Sequence, residues 1–131
     1  MTMTQKRQAA FDKAAAHLLS TGKPSGDLKE DGSFNCLYSG SGCALRPFIP
    51  EGQSPRAWDA QGGIKDLEED LVPPEIAEDI EFFADLQDAH DGPAVDAKGD
   101  VKRWRPMWID CMVNLAAQYG LNDEAVRIKA A

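Results

Sequence analysis

Residues 74–90 read PEIAEDIEFFADLQDAH, and the spacing within them decides the fold class. Ile76, Ile80, Phe83, Leu86 and His90 fall three or four places apart, which puts them on one face of a helix. Glu75, Glu78, Asp79, Glu81, Asp85 and Asp88 populate much of the remaining surface. Pro73-Pro74 opens this helix, and Gly92-Pro93 is expected to end it.

Upstream, Phe11, Ala14, Ala15, Leu18 and Leu19 make a similar stripe and predict a helix over residues 4–19. Gly22 and Pro24 stop it. Downstream, Trp108, Cys111, Met112, Leu115 and Tyr119 predict a helix starting near residues 104–106 and ending at Gly120. Pro106 sits most easily in its first turn. Asn122-Asp123-Glu124 reads as the capped start of a short terminal helix.

Residues 34–49 have a different texture. Phe34-Asn35-Cys36-Leu37-Tyr38 is β-prone, Ser39-Gly40-Ser41-Gly42 is turn-like, and Cys43-Ala44-Leu45-Arg46 reads as the returning strand, stopped by Pro47. Two strands alone are marginal and must pack on helices. Ser54-Pro55 suits one helical turn carrying Trp58, and Ile64, Leu67 and Leu71 give a weak helical pattern. The expectation is a mainly α (α+β) single domain over residues 1–131, with four to five helices and one short hairpin packed on them.

The chain's 131 residues and net charge of −8 suit one domain with a core of its own. No apolar run approaches the roughly 20 residues of a membrane span. Residues 1–13 are polar and lack an apolar signal core, which predicts a cytoplasmic location. Three cysteines, Cys36, Cys43 and Cys111, are an odd and small number, read as reduced thiols. A Cys36–Cys43 bridge would need an oxidising setting.

The acid is concentrated. Between Lys65 and Asp91 there are eleven carboxylates against one base, and Lys98, Lys102, Arg103 and Arg105 follow. Such a field repels nucleic acid and attracts a basic partner, or it is a solvated face that keeps the chain soluble. The later bases are expected to pair with the acidic helix while Trp108 packs in the core. Their alternative role, with Arg46, is to bind a nucleotide: Arg46, Arg103 and Arg105 on phosphate and Trp104 stacked on the base.

Cys36, Cys43 and His90, with His17, are chemically suited to zinc, but Cys-x6-Cys is wider than the usual knuckle. His90-Asp91 is similar to the paired ligands of metal-dependent phosphohydrolases, but only His17 remains to extend such a set. The competing reading makes His90 a helix end and Asp91 the start of a turn. Cys43 with His90 lacks any local cysteine-enzyme signature. No cofactor is expected.

Several short runs, in order, resemble a family of small uncharacterised proteins of tailed bacteriophages and prophages. They are Phe11-Asp12-Lys13, Ala16-His17-Leu18-Leu19, Gly22-Lys23, Cys36-Leu37-Tyr38, Cys43-Ala44-Leu45 and Ile49-Pro50. Leu86-Gln87-Asp88-Ala89-His90-Asp91, Trp108, Leu115-Ala116 and Tyr119-Gly120-Leu121 continue the series. Arg46-Pro47 and Glu51-Gly52-Gln53-Ser54 depart from the family pattern. The resemblance implies a phage or prophage origin and no particular activity. With the charge pattern it gives two expectations. The first is a non-enzymatic accessory protein that binds a basic surface of a host protein through Glu75, Glu78, Asp79, Glu81, Asp85 and Asp88. The second is a nucleotide binder. A metal- or cysteine-dependent hydrolase ranks below both.

Overall fold

The computed structural model describes residues 1–40 and 42–130. Among them are six α-helices and one two-stranded antiparallel hairpin, so the chain is mainly helical as expected, with more helices than four to five. No helix among the described residues is long and apolar enough to cross a membrane.

Helix α1 (Met3–Thr21) starts at a capping box. The Thr2 hydroxyl accepts from Gln5 N–H, and the Gln5 side chain returns to Thr2 N–H. Phe11, Ala14, Ala15 and Leu18 are fully buried. Gly22, at φ 70°, donates to Leu18 O and ends the helix where the sequence placed the stop.

The hairpin differs from expectation. Phe34–Cys36 is a strand, β2, but its partner is β1 (Gly26–Leu28), upstream rather than downstream. The turn between them is built on Asp31-Gly32: Ser33 N–H and hydroxyl both donate to the Asp31 carboxylate, and Gly32 takes φ 87°. An Asp-Gly pair is a stronger hairpin signal than a flexible Ser/Gly run. The expected returning run, residues 43–45, is instead buried coil leading into a 3-10 turn at Arg46–Phe48. Ser41, in the expected turn, lies outside the described residues.

Helix α2 (Pro55–Asp59) is the expected turn carrying Trp58, whose indole N–H donates to Gln53. The pattern of residues 64–71 yields one 3-10 turn, Ile64–Asp66.

The acidic helix is two helices, α3 (Pro74–Ala77) and α4 (Ile80–Asp96). The break is at Asp79, whose φ and ψ of −146° and 45° let its carboxylate take a two-pronged bond from Arg7 of α1, both prongs 2.8 Å. Nor does Gly92-Pro93 end α4; the helix runs through both to Asp96. Its true stop is a Schellman motif: Gly99 N–H bonds Ala94 O, Lys98 N–H bonds Val95 O, and Lys98 is left-handed at φ 51°. A Cβ on Gly99 would meet the Phe34 ring at 2.5 Å, so the helix end is fitted to the hairpin.

Helix α5 (Val101–Tyr119) begins earlier than expected, because Asp100 caps Lys102 N–H. Pro106 therefore lies inside the helix rather than in its first turn. Helix α6 (Glu124–Ala130) packs on α1 through Val126. The α4–α5 pair is the main helical contact, with Trp104 and Trp108 stacked at 5.2 Å inside it.

Candidate functional site

Helix α4 turns three polar residues toward the irregular half of the chain: Gln87, His90 and Asp91. They meet two loop segments there, and each contact follows from what its atoms can donate or accept.

His90 is fully buried. Its Nε2 lies 2.9 Å from Ser25 N–H, a group that can only donate. Nε2 is therefore a lone-pair acceptor, and the proton of the neutral ring sits on Nδ1, which donates to Asp91 Oδ1 at 2.7 Å. The ring edge faces Trp104, whose indole N–H donates to His90 O. The Ser25 hydroxyl lies 2.7 Å from Leu37 O and 2.9 Å from Ser39 O, and accepts from Gly42 N–H.

One turn earlier, Gln87 Oε1 accepts from Ile64 N–H, and its Nε2 donates to the Tyr38 hydroxyl, which donates onward to Gly62 O. Asp59 completes the frame by accepting from Tyr38 N–H and from the Ser39 hydroxyl. Burial pushes the Tyr38 hydroxyl far above its usual range.

Cys36 and Cys43 sit against this frame as free thiols. Cys36 Sγ faces Asp91 O at 3.9 Å. Burial first, then the Asp91 charge, raises both thiols, Cys43 to about 12. Cys36, Tyr38, Cys43, Gln87 and Asp91 line one cavity of about 320 Å³, with His90 beneath it. A larger groove of about 470 Å³ runs along α1, and it is crossed by the pairs of Lys6 with Glu78 and Arg7 with Asp79.

The chemistry of the cluster can be judged atom by atom. One ligand atom each from Cys36, His90 and Asp91 lie within 4.8 Å of one another, which is metal-like spacing. This replaces the expected trio in part, since Asp91 joins and Cys43 does not. His90 is poorly prepared to ligate. Its acceptor nitrogen already holds the Ser25 N–H, and freeing the nitrogen beside Asp91 for a metal would move the ring proton onto the one that faces that N–H, whereas a metal-bound histidine needs an acceptor at its second nitrogen. The same bond leaves no lone pair to take a proton from Cys43, so a Cys43–His90 nucleophile pair is not formed. His17 faces Gly42 O at 3.2 Å. Asp91 lies within α4 and begins no turn.

The acidic residues divide. Glu78 pairs with Lys6, Asp79 with Arg7 and Glu81 with Lys65, and Asp85 accepts from the Tyr119 hydroxyl. Glu75 and Asp88 are exposed and make no ion pair among the described residues. The bases of residues 98–105 do not neutralise this helix, contrary to expectation; α1 and Lys65 do. Arg103 instead donates to Asp96 O.

The nucleotide set is likewise dispersed. Trp104 is buried against Trp108 and cannot stack on a base. Arg46 belongs to the 3-10 turn, beside Gly42, with its Nη1 buried and without an acceptor among the described residues. Arg103 is exposed and Arg105 half-buried on α5.

Ser25 and Asp59 had no signal in the sequence. Gln87, His90, Asp91, Cys36, Tyr38 and Cys43 did, since all six fall in the runs quoted for the phage-family resemblance, and the fold brings them together. None of the protein families, curated proteins or solved structures compared with the chain matches it.

Proposed function

We propose that this is a non-enzymatic accessory protein of phage or prophage type, acting in the bacterial cytoplasm by docking on a basic surface of a host protein. The docking surface is the acidic ridge of α4 with Glu75 of α3. The observation that supports this reading is the state of the ridge. Asp85, Asp88 and Asp91 follow one another at helical spacing, and the Asp88 carboxyl, exposed at its tip, is held above the usual carboxylate range by partial desolvation, then by the charges of Asp91 and Asp85. Negative charge is thus crowded along Asp85, Asp88 and Asp91, where Lys65 offsets it only in part. The nearby Lys65–Glu81 pair is largely exposed, so a partner's base can replace Lys65 at small cost. Like-charge crowding of this kind is relieved by a cationic partner and steers its approach.

The test is capture from bacterial lysate by the whole chain at low and high salt. The comparison is between wild type, the triple variant Glu75→Gln/Glu81→Gln/Asp88→Asn, and a charge-matched control, Glu30→Gln/Glu51→Gln/Glu124→Gln. Partners held by wild type and control, and lost by the ridge variant and at high salt, are the expected result. The same partners retained by the ridge variant, with its helical spectrum intact, overturn the reading.

A further inference from the structure

Strand β2 is paired along one edge only. Leu37 N–H bonds Ser25 O at 3.1 Å, and Lys29 N–H bonds Ser33 O at 2.8 Å, so the hydrogen-bonded pairs of the ladder are Ser25 with Leu37, Asp27 with Asn35 and Lys29 with Ser33. In an antiparallel ladder such pairs alternate with pairs whose main-chain groups turn outward. Phe34 and Cys36, opposite Leu28 and Gly26, are of the second kind. Their N–H and C=O groups point away from β1, and the hydrogen bonds of the described residues leave them unpaired.

The 320 Å³ cavity runs along that open edge. Residues 34–38 all line it, consecutive positions from both faces of the strand, and no residue of β1 does. A cavity over one face would be lined by alternate residues. Gly62 and Gly63, which carry no side chains, line it too, with Cys43, Asp59 and, from α4, Gln87, Asp91 and Val95. Among the described residues neither carboxylate has a lysine or arginine within salt-bridge distance, and His90, beside Asp91, donates from a neutral ring.

We propose that this groove captures an extended segment of a partner protein, which adds to β2 as a third strand and directs a lysine or arginine side chain at Asp91 and Asp59. Main-chain bonds to Phe34 and Cys36 supply the affinity common to strand addition, and the two carboxylates supply the selectivity. The short, open edge beside two carboxylates that have no lysine or arginine partner among the described residues is what such a segment needs. The proposal stands on the strand register and the cavity and does not depend on the acidic ridge.

The probe is a pool of capped heptapeptides in which lysine or arginine alternates with valine, threonine or tyrosine, titrated into the full ¹⁵N-labelled chain. Two control pools have the same side chains with alternate backbone N-methylation, or glutamate in place of the bases. The expected result is saturable shifts confined to the amides of residues 34–38, 62 and 63, with hydrogen exchange at the Phe34 and Cys36 amides slowed about tenfold. Both control pools should bind at least tenfold more weakly, as should the basic pool to Asp91→Asn, an isostere whose side-chain oxygen still accepts from His90. Three results overturn the proposal. One is no saturable shift at millimolar peptide. Another is equal binding of the N-methylated pool, with shifts on the α4 ridge, which would leave the ridge reading standing. The last is concentration-dependent dimerisation of the free chain that protects the same amides, which would give the edge to a second copy.

Discussion

Replacing His90 by leucine measures what the buried histidine does for the fold. The substitution keeps an apolar side chain of comparable bulk and removes the acceptor of Ser25 N–H. Ser25 is fully buried, so its N–H has no water to turn to. An unsatisfied buried donor costs about 1–3 kcal/mol. The edge contact of the imidazole with Trp104 contributes roughly 0.5–1 kcal/mol more. Asp91, whose side chain is 30% exposed, is rehydrated when it loses the Nδ1–H bond and adds little. The sum is about 1.5–4 kcal/mol, against a typical domain stability of roughly 5–15 kcal/mol. Urea unfolding of both proteins, extrapolated linearly, reads the difference directly. Asp91→Asn, which retains an acceptor for Nδ1–H, is the control and should lose less than about 1 kcal/mol. A His90→Leu protein within about 0.5 kcal/mol of wild type, with an unchanged slope, would refute the assignment of His90 as the acceptor that Ser25 requires.

Other substitutions probe the helix ends and the thiols. Lys98→Gly should stabilise by roughly 0.5–1 kcal/mol, because Lys98 sits left-handed at φ 51°, while Gly99→Ala should destabilise by more than that, with its Cβ driven into Phe34; thermal melts of the pair check both signs. Arg7→Ala should cost about 2–3 kcal/mol, since it strands the Asp79 carboxylate, whose side chain is 9% exposed, and uncovers Tyr119; chemical denaturation reads it. Burial pushes the Cys43 thiol up to about 12 in the folded chain, whereas an unfolded thiol ionises near pH 8.5, so this thiol leaves stability unchanged below about pH 8. It then falls as pH rises, by about 1.4 kcal/mol per unit for this thiol, and Cys43→Ala should remove that slope. At pH 8 a thiol reagent should modify half-buried Cys111 before Cys36 or Cys43, as followed by mass spectrometry.

Where a helix boundary is written in local chemistry, the sequence discloses it: Gly22 and Gly120 end α1 and α5 as expected. Where tertiary contacts decide, it does not. Asp79 breaks the acidic helix to reach an arginine 72 residues away, and Gly92-Pro93 is carried through α4 because the real stop, Lys98-Gly99, is shaped against Phe34. The hairpin turns at Asp31-Gly32 rather than at the Ser/Gly run, because bonds from Ser33 to the Asp31 carboxylate define the turn. At the polar cluster the side chains with distinctive chemistry were visible, but their partners are mostly main-chain atoms, and main-chain atoms leave no trace in composition or spacing.

That last property bears on how the chain can change. Ser25 N–H, Ile64 N–H and Gly62 O are gripped by α4 directly or through Tyr38, and any residue type but proline at the donor positions would offer the same atoms. The path of the long segment between α1 and α3 is thus held partly by clamps on its main chain, and exposed positions such as Lys29, Glu51 and Arg56 take no part in them. Substitution at such exposed positions leaves the clamps, and so the course of the segment, in place.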